Sequence, residues 1–109
     1  MPSQRRMARL NESISRILGE IIHEEISRSD VLISITEVNI SPDVQWVDVW
    51  VSIFPYGKHA EMMEALQRKL GIFQSLFNHR LRIRHTPKIR FTLDSRLEAG
   101  VVDEGMPPH

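Results

Sequence analysis

Seven of the fourteen Lys and Arg residues fall between Glu64 and Asp94: Arg68, Lys69, Arg80, Arg82, Arg84, Lys88 and Arg90. His79 and His85 lie among them, and no carboxylate does. Guanidinium and ammonium groups at that density suit the neutralisation of phosphates, and the planar fork of Arg suits bidentate contact with a phosphodiester. The chain as a whole carries 14 acids and 14 bases, for a net charge of zero. The segment therefore polarises the molecule, which is the footprint of a phosphate-binding face. Carboxylates folding back from Glu20, Glu24 or the C-terminal residues would turn the same segment into an ordinary solvated surface, and charge alone leaves both readings open.

Other chemistry has few residues to use. The absence of cysteine removes thiolate nucleophiles, disulfides and Cys-ligated zinc, so a reducing cytoplasm is the expected compartment. Glu24 and Glu25 point to different sides of a helix, and Glu61 and Glu64 are read as a surface turn, so neither makes a general acid–base pair. His23, His59, His79, His85 and His109 show no H-x-x-x-H spacing. No G-x-S-x-G, Walker A or G-x-G-x-x-G run is present. The expectation is a non-enzyme with no metal and no cofactor. No apolar run approaches membrane-spanning length, and the spaced apolar residues near the N-terminus do not read as a signal peptide.

Trp46 and Trp50 would lie on the outward face of a strand, roughly 13 Å apart, where each could stack on one unpaired base. Indoles are seldom left in water without a partner. The preferred reading is that they cover apolar surface or meet a loop or the N-terminal helix.

The elements that must position these groups follow from periodicity. Met7, Leu10, Ile14, Ile17, Leu18, Ile21, Ile22 and Ile26 repeat with the helical period and predict one long amphipathic helix over 3–28. Arg5, Arg9 and Arg16 cluster on its opposite side, and Arg16 can pair with Glu12 or Glu20. Arg5, Arg6 and Arg9 are the better contact candidates there. Residues 31–40 and 44–54 are rich in Val and Ile and flank Ser41-Pro42-Asp43, which predicts an antiparallel hairpin. In its second strand Val47, Val49, Val51 and Ile53 should face the core. A helix over 60–70 is interrupted by Gly71 and resumed through Ile72, Phe73, Leu76 and Phe77. It should fray near Arg80–Arg84, and Thr86-Pro87 should open a third strand, Lys88–Leu93, with a basic outer face. Residues 1–94 then form one domain and 95–109 a flexible tail. The order α-β-β-α-α-β, a three-stranded sheet packed on helices, is an α+β two-layer architecture.

Several of these stretches together resemble one bacterial family. Asn11-Glu12 before the Ile-rich helix, Ile35-Thr36-Glu37-Val38, Ser41-Pro42-Asp43, Val49-Trp50-Val51-Ser52 and the run from Arg82 to Asp94 are similar to ribosome-binding factor A over about residues 5–98. The resemblance implies a type II KH-like fold and a non-catalytic factor that binds the immature 30S small subunit and its 16S rRNA. It implies assistance in late maturation and rRNA processing, and growth in the cold. The family carries Ala-x-Gly at the helix kink. The matching positions here are Lys69-Leu70-Gly71, with Gly71 kept and Lys in place of Ala.

On this reading Arg80, Arg82, Arg84, Lys88 and Arg90 are the main phosphate contacts, with Arg68, Lys69, Arg5, Arg6 and Arg9 secondary. The partners are the 30S subunit, 16S rRNA, ribosomal proteins and other assembly factors, with no membrane, and the chain should be monomeric. The alternative is a protein-interaction module whose basic face docks an acidic partner.

Overall fold

A computed structural model of the chain describes residues 3–96. Residues 97–109, most of the expected tail, lie outside the described residues. Helix α1 (Gln4–Glu25) is followed by strands β1 (Leu32–Ile40) and β2 (Trp46–Phe54), a 3₁₀ turn (Tyr56–Lys58), helices α2 (His59–Arg68) and α3 (Leu70–Leu81), and strand β3 (Lys88–Leu93). This is the order that periodicity predicts. Ser3 caps α1, its Oγ accepting from the Arg6 backbone N–H at 3.2 Å. The apolar stripe buries Ile14, Ile17, Leu18, Ile21 and Ile22 against the sheet and α3.

β1 and β2 pair antiparallel, β2 and β3 pair parallel, and β2 lies in the centre. The parallel pairing requires a long crossover, which α2 and α3 supply on the same face as α1. Val47, Val49, Val51 and Ile53 are all essentially inaccessible, and they meet Met62, Leu66, Phe73 and Phe77 from the helices. Truncating Phe73 or Phe77, both fully buried, to Ala costs about 3–5 kcal/mol on the general scale for aromatic core residues. Trp46, Asp48, Trp50 and Ser52 face the side opposite these helices and are half-buried.

Two features depart from the expectations. The helix break falls at Lys69 (φ −91°, ψ 4°), not at Gly71, which sits inside the first turn of α3. A Cβ on Gly71 would meet nothing within 4 Å, so neither crowding nor a left-handed backbone requires glycine there. Lys69 itself fastens the break, because its Nζ donates to the Glu25 carbonyl at 3.0 Å and supplies a cation to the end of α1. Glu61 and Glu64 lie on α2 and not on a turn.

β1 also contains an irregularity between Ile35 and Glu37. Ile33 and Ile35 pair with the inward Ile53 and Val51, whereas beyond Thr36 it is Val38 and Ile40 that pair with the inward Val49 and Val47. One extra residue thus resets the strand's alternation so that both halves point their apolar residues at the core.

Asp94 closes this bulge. It is the one buried charged residue among those described, at 4% exposure. Thr36 Oγ1 donates to Asp94 Oδ2 at 2.6 Å, and the Arg96 guanidinium donates to both carboxylate oxygens at 2.9 and 3.0 Å. Arg96, within the stretch assigned to the tail, also reaches Glu37 Oε1 at 2.8 Å and lies over the Trp50 ring at 4.4 Å. The hydrogen bonds from Arg96, and then from Thr36, hold the Asp94 carboxyl well below the ordinary carboxylate range.

A carboxyl that titrates lower in the folded than in the unfolded chain, where Asp titrates near about 3.9, contributes stability fully above that pH and loses it as the pH falls further. Asp94→Asn is expected to lower the melting temperature at pH 7 by roughly 5–10 °C. It should also flatten the loss of stability below about pH 4, both read by circular dichroism melts across a pH series. A variant that melts like the parent at both pH values would show that the network does not hold the bulge.

Candidate nucleic-acid interface

The ten basic residues singled out by sequence divide by what their side chains already touch. Arg80, in the last turn of α3, makes a two-pronged ion pair with Glu24, Nη1 to Oε2 at 3.1 Å and Nη2 to Oε1 at 2.7 Å. The pairing lowers the Glu24 carboxyl and raises the Arg80 guanidinium. Lys69 is bound to the end of α1, with Glu25 Oε1 a further 3.9 Å contact. Arg90 donates to Asp48 at 2.8 and 3.3 Å across β3 and β2, and its guanidinium stacks 4.4 Å from the centre of the Trp46 ring. These three carry internal partners.

Among the described residues, Arg82, Arg84, Lys88, Arg68, Arg5, Arg6 and Arg9 have no carboxylate partner, and all seven are exposed. Arg82 ends α3 in the left-handed conformation (φ 55°, ψ 45°), which stops the helix and turns the chain into the 82–87 connection. Pro87 is fully buried, and Gln74 grips the return: its Nε2 donates to the Pro87 carbonyl at 3.1 Å and its Oε1 accepts from the Ile89 N–H at 2.9 Å. The connection is thereby pinned at its far end, leaving Arg82, Arg84 and His85 exposed. Lys88 begins β3 beside Trp46, its Nζ 5.8 Å from the indole centre.

The strand directions gather part of this set at one end of the sheet. Trp46 pairs with Lys88, and the Lys88 N–H donates to the Gln45 carbonyl at 2.9 Å, so the hairpin turn and the start of β3 adjoin. Asn11 Nδ2 donates to the Val38 carbonyl at 3.0 Å, while Ile22 lines the same groove as Ile33 and Ile35. Helix α1 therefore runs antiparallel to β1, and its first turns, bearing Arg5, Arg6 and Arg9, project past the same end. Arg68, Lys69 and Arg80 belong elsewhere, since Lys69 and Arg80 both reach the last turn of α1.

The tryptophans do not meet the N-terminal helix. Each holds a stacked guanidinium on the open sheet face, Arg90 on Trp46 and Arg96 on Trp50. The sequence signal for the first was the alternation that puts Arg90 on the outward face of β3 as it puts Trp46 and Asp48 on that of β2. The second depends on where the chain turns after β3, and only the short Asp94-x-Arg96 spacing hinted at it.

At the gathered end the Ser41–Gln45 turn and the 82–87 connection flank a cleft of about 610 Å³. The Ser41 hydroxyl fixes the turn, accepting from the Gln45 and Trp46 N–H groups at 3.1 and 2.9 Å and donating to Asp43 Oδ1 at 2.7 Å. Val44 takes φ 58°, a left-handed conformation that a β-branched residue adopts at a cost of about 1–2 kcal/mol. No helix among the described residues is long and apolar enough to cross a membrane. No group of three or more His, Asp or Glu among them is placed to hold a metal ion.

The sequence profile described as "Ribosome-binding factor A" matches residues 6–104. A ribosome-binding factor A of Clostridium botulinum is 33% identical over 103 residues, covering 91% of this chain and 86% of that protein. The crystal structure of ribosome-binding factor A from Thermus thermophilus aligns with a TM-score of 0.67 at 25% identity, over 79% of this chain and 92% of that one. The Thermus thermophilus factor as fitted into a cryo-EM map of a 30S complex aligns with a TM-score of 0.68 at 23% identity, over 82% of this chain and 96% of that one. The three-helix, three-stranded arrangement is the KH-like fold of these neighbours. With the profile spanning nearly all of it, this chain belongs to the ribosome-binding factor A family.

Proposed function

We propose that this protein is a non-catalytic assembly factor that binds the 30S small subunit through its 16S rRNA, in the cytoplasm, and assists late maturation of that subunit. The observation that carries the reading is the set of exposed basic side chains, Arg82, Arg84 and Lys88, that follow one another along the α3–β3 connection with no carboxylate partner among the described residues. Cations without a carboxylate partner among the described residues present a local positive field to a phosphate backbone, even in a protein of zero net charge. Family membership and the 30S complex of the Thermus thermophilus relative support the same partner.

Phosphate contacts of this kind position a protein without reading sequence. Selectivity then comes from the shape of a partly folded rRNA junction and from neighbouring ribosomal proteins. The factor holds or masks an rRNA region until the subunit matures and then departs. Arg82, Arg84 and Lys88 are the principal contacts, Arg5, Arg6, Arg9 and Arg68 auxiliary ones. Arg90, Arg80 and Lys69 contribute less, because phosphate would have to displace Asp48, Glu24 or Glu25 from them.

Co-sedimentation with purified small subunits over a salt series tests the reading. Binding should weaken steeply as salt rises, since each phosphate contact releases counterions. Arg82→Glu with Arg84→Glu should raise the dissociation constant at physiological salt by about tenfold or more, roughly 1.4 kcal/mol or above. That double variant should keep the parent's melting temperature within a few degrees. Arg80→Ala, which removes a partly exposed ion pair, should leave subunit binding within about threefold and shift the melting temperature by no more than a few degrees. Undiminished binding by the Arg82/Arg84 variant would reject the site. Failure to sediment with any subunit, coupled with capture of an acidic protein, would favour the protein-docking alternative.

A further inference from the structure

We propose that the cleft between the Ser41–Gln45 turn and the 82–87 connection seats a single unpaired nucleotide of RNA, with Trp46 as the platform for its base and Lys88 and Arg84 as the cations for its flanking phosphates. This inference rests on the RNA-binding reading above and deepens it, from a diffuse basic surface to a site that distinguishes single-stranded from paired RNA.

The cleft has the composition such a ligand requires. Its volume of about 610 Å³ lies within the roughly 300–1,000 Å³ of small-molecule sites, larger than one amino-acid side chain needs. Trp46 and His85 line it, and their rings are of the kind on which bases stack. Gln45 and Thr86 also line it, and an amide and a hydroxyl can each donate to and accept from a base edge. Lys88 lines the same space, and Arg84 immediately precedes His85 in the chain. The one acid in the lining, Asp43, is committed to the turn, accepting from the Ser41 hydroxyl at 2.7 Å and the Gln45 N–H at 3.2 Å. Lys88 balances it within the lining, and Arg84 adds a second cation from the adjoining connection.

The platform is held before any ligand arrives. Trp46 projects from β2, the central strand, and Arg90 packs on its ring while being gripped by Asp48. Both walls are also fixed, the turn by the Ser41 hydroxyl and the 82–87 connection by Gln74 and buried Pro87. Val44, strained at φ 58°, lies in this lining and not elsewhere in the hairpin. A base in a duplex has both faces stacked and its edge paired, so it cannot enter, whereas an unpaired base can leave its neighbours and insert.

The experiment uses the full chain carrying Trp50→Phe, which keeps an aromatic ring under Arg96 and leaves Trp46 as the only indole. Its fluorescence is followed during titration with a ten-nucleotide oligoadenylate, an abasic oligomer of the same length and an RNA hairpin duplex, with fluorescence anisotropy of each labelled RNA read in parallel. Oligoadenylate should quench Trp46 with the midpoint seen by anisotropy, and the abasic and duplex ligands should bind without quenching. His85→Ala, in the same background, should weaken oligoadenylate binding about tenfold and duplex binding less than threefold. Oligoadenylate that binds without quenching, or equal losses for single-stranded and duplex RNA in the variant, would overturn the cleft and leave the phosphate-binding surface standing. No binding of any of the three RNAs would overturn both.

Discussion

Strand β2 buries Val47, Val49, Val51 and Ile53 completely on one side, and a strand can do that only by turning every intervening residue to the other side. All three helices gather on the buried side because apolar side chains are there. Trp46, Asp48, Trp50 and Ser52 are consequently presented on a face that none of the helices α1, α2 and α3 covers. The open face is then furnished by its neighbours in register. Asp48 finds Arg90 on β3, Trp46 finds Lys88 and Arg90, and Trp50 finds Arg96 just beyond β3. A one-residue slip of β2 would exchange the two sets, losing the core and the stacked pairs of the open face together.

The same constraint explains why β1 needs its bulge. Its outer residues could not all stay on the outer side without an extra residue, because the apolar positions change parity between Ile35 and Val38. Thr36 absorbs that change, and its hydroxyl is free to bind Asp94 because it is the residue that leaves the ladder. Asp94 thereby ties the irregular edge strand to the end of β3. Burying a carboxylate is costly unless its lone pairs are filled, and Thr36, Arg96 and the Arg96 N–H fill them.

Charge is sorted by the fold instead of by composition. Of the seven basic residues between Glu64 and Asp94, Lys69, Arg80 and Arg90 are claimed by carboxylates or a helix end, and the claimants Glu25, Glu24 and Asp48 come from distant segments. The remainder have no carboxylate partner among the described residues. Surface pairs of this kind add little stability singly. Their larger effect is geometric, since they decide which guanidinium groups already hold an internal partner.

The sequence by itself determined the elements and their inward faces. The Ile stripe of α1, the alternation of β2 and the Ser41-Pro42-Asp43 turn are local patterns whose period already states which side is apolar, and the basic run from Arg68 to Arg90 was plain in the same way. The helix break was placed two residues late, at Gly71 instead of Lys69, because glycine signals conformational freedom whereas the Lys69 contact lies with a residue 44 positions away. The pairing of Arg80 with Glu24, the stacking of Arg96 on Trp50, and the cleft made by two loops roughly 40 residues apart were decided only by tertiary structure. A side chain's periodicity tells which way it points, but what it meets there depends on strand order and on the parallel crossover that sets β3 beside β2.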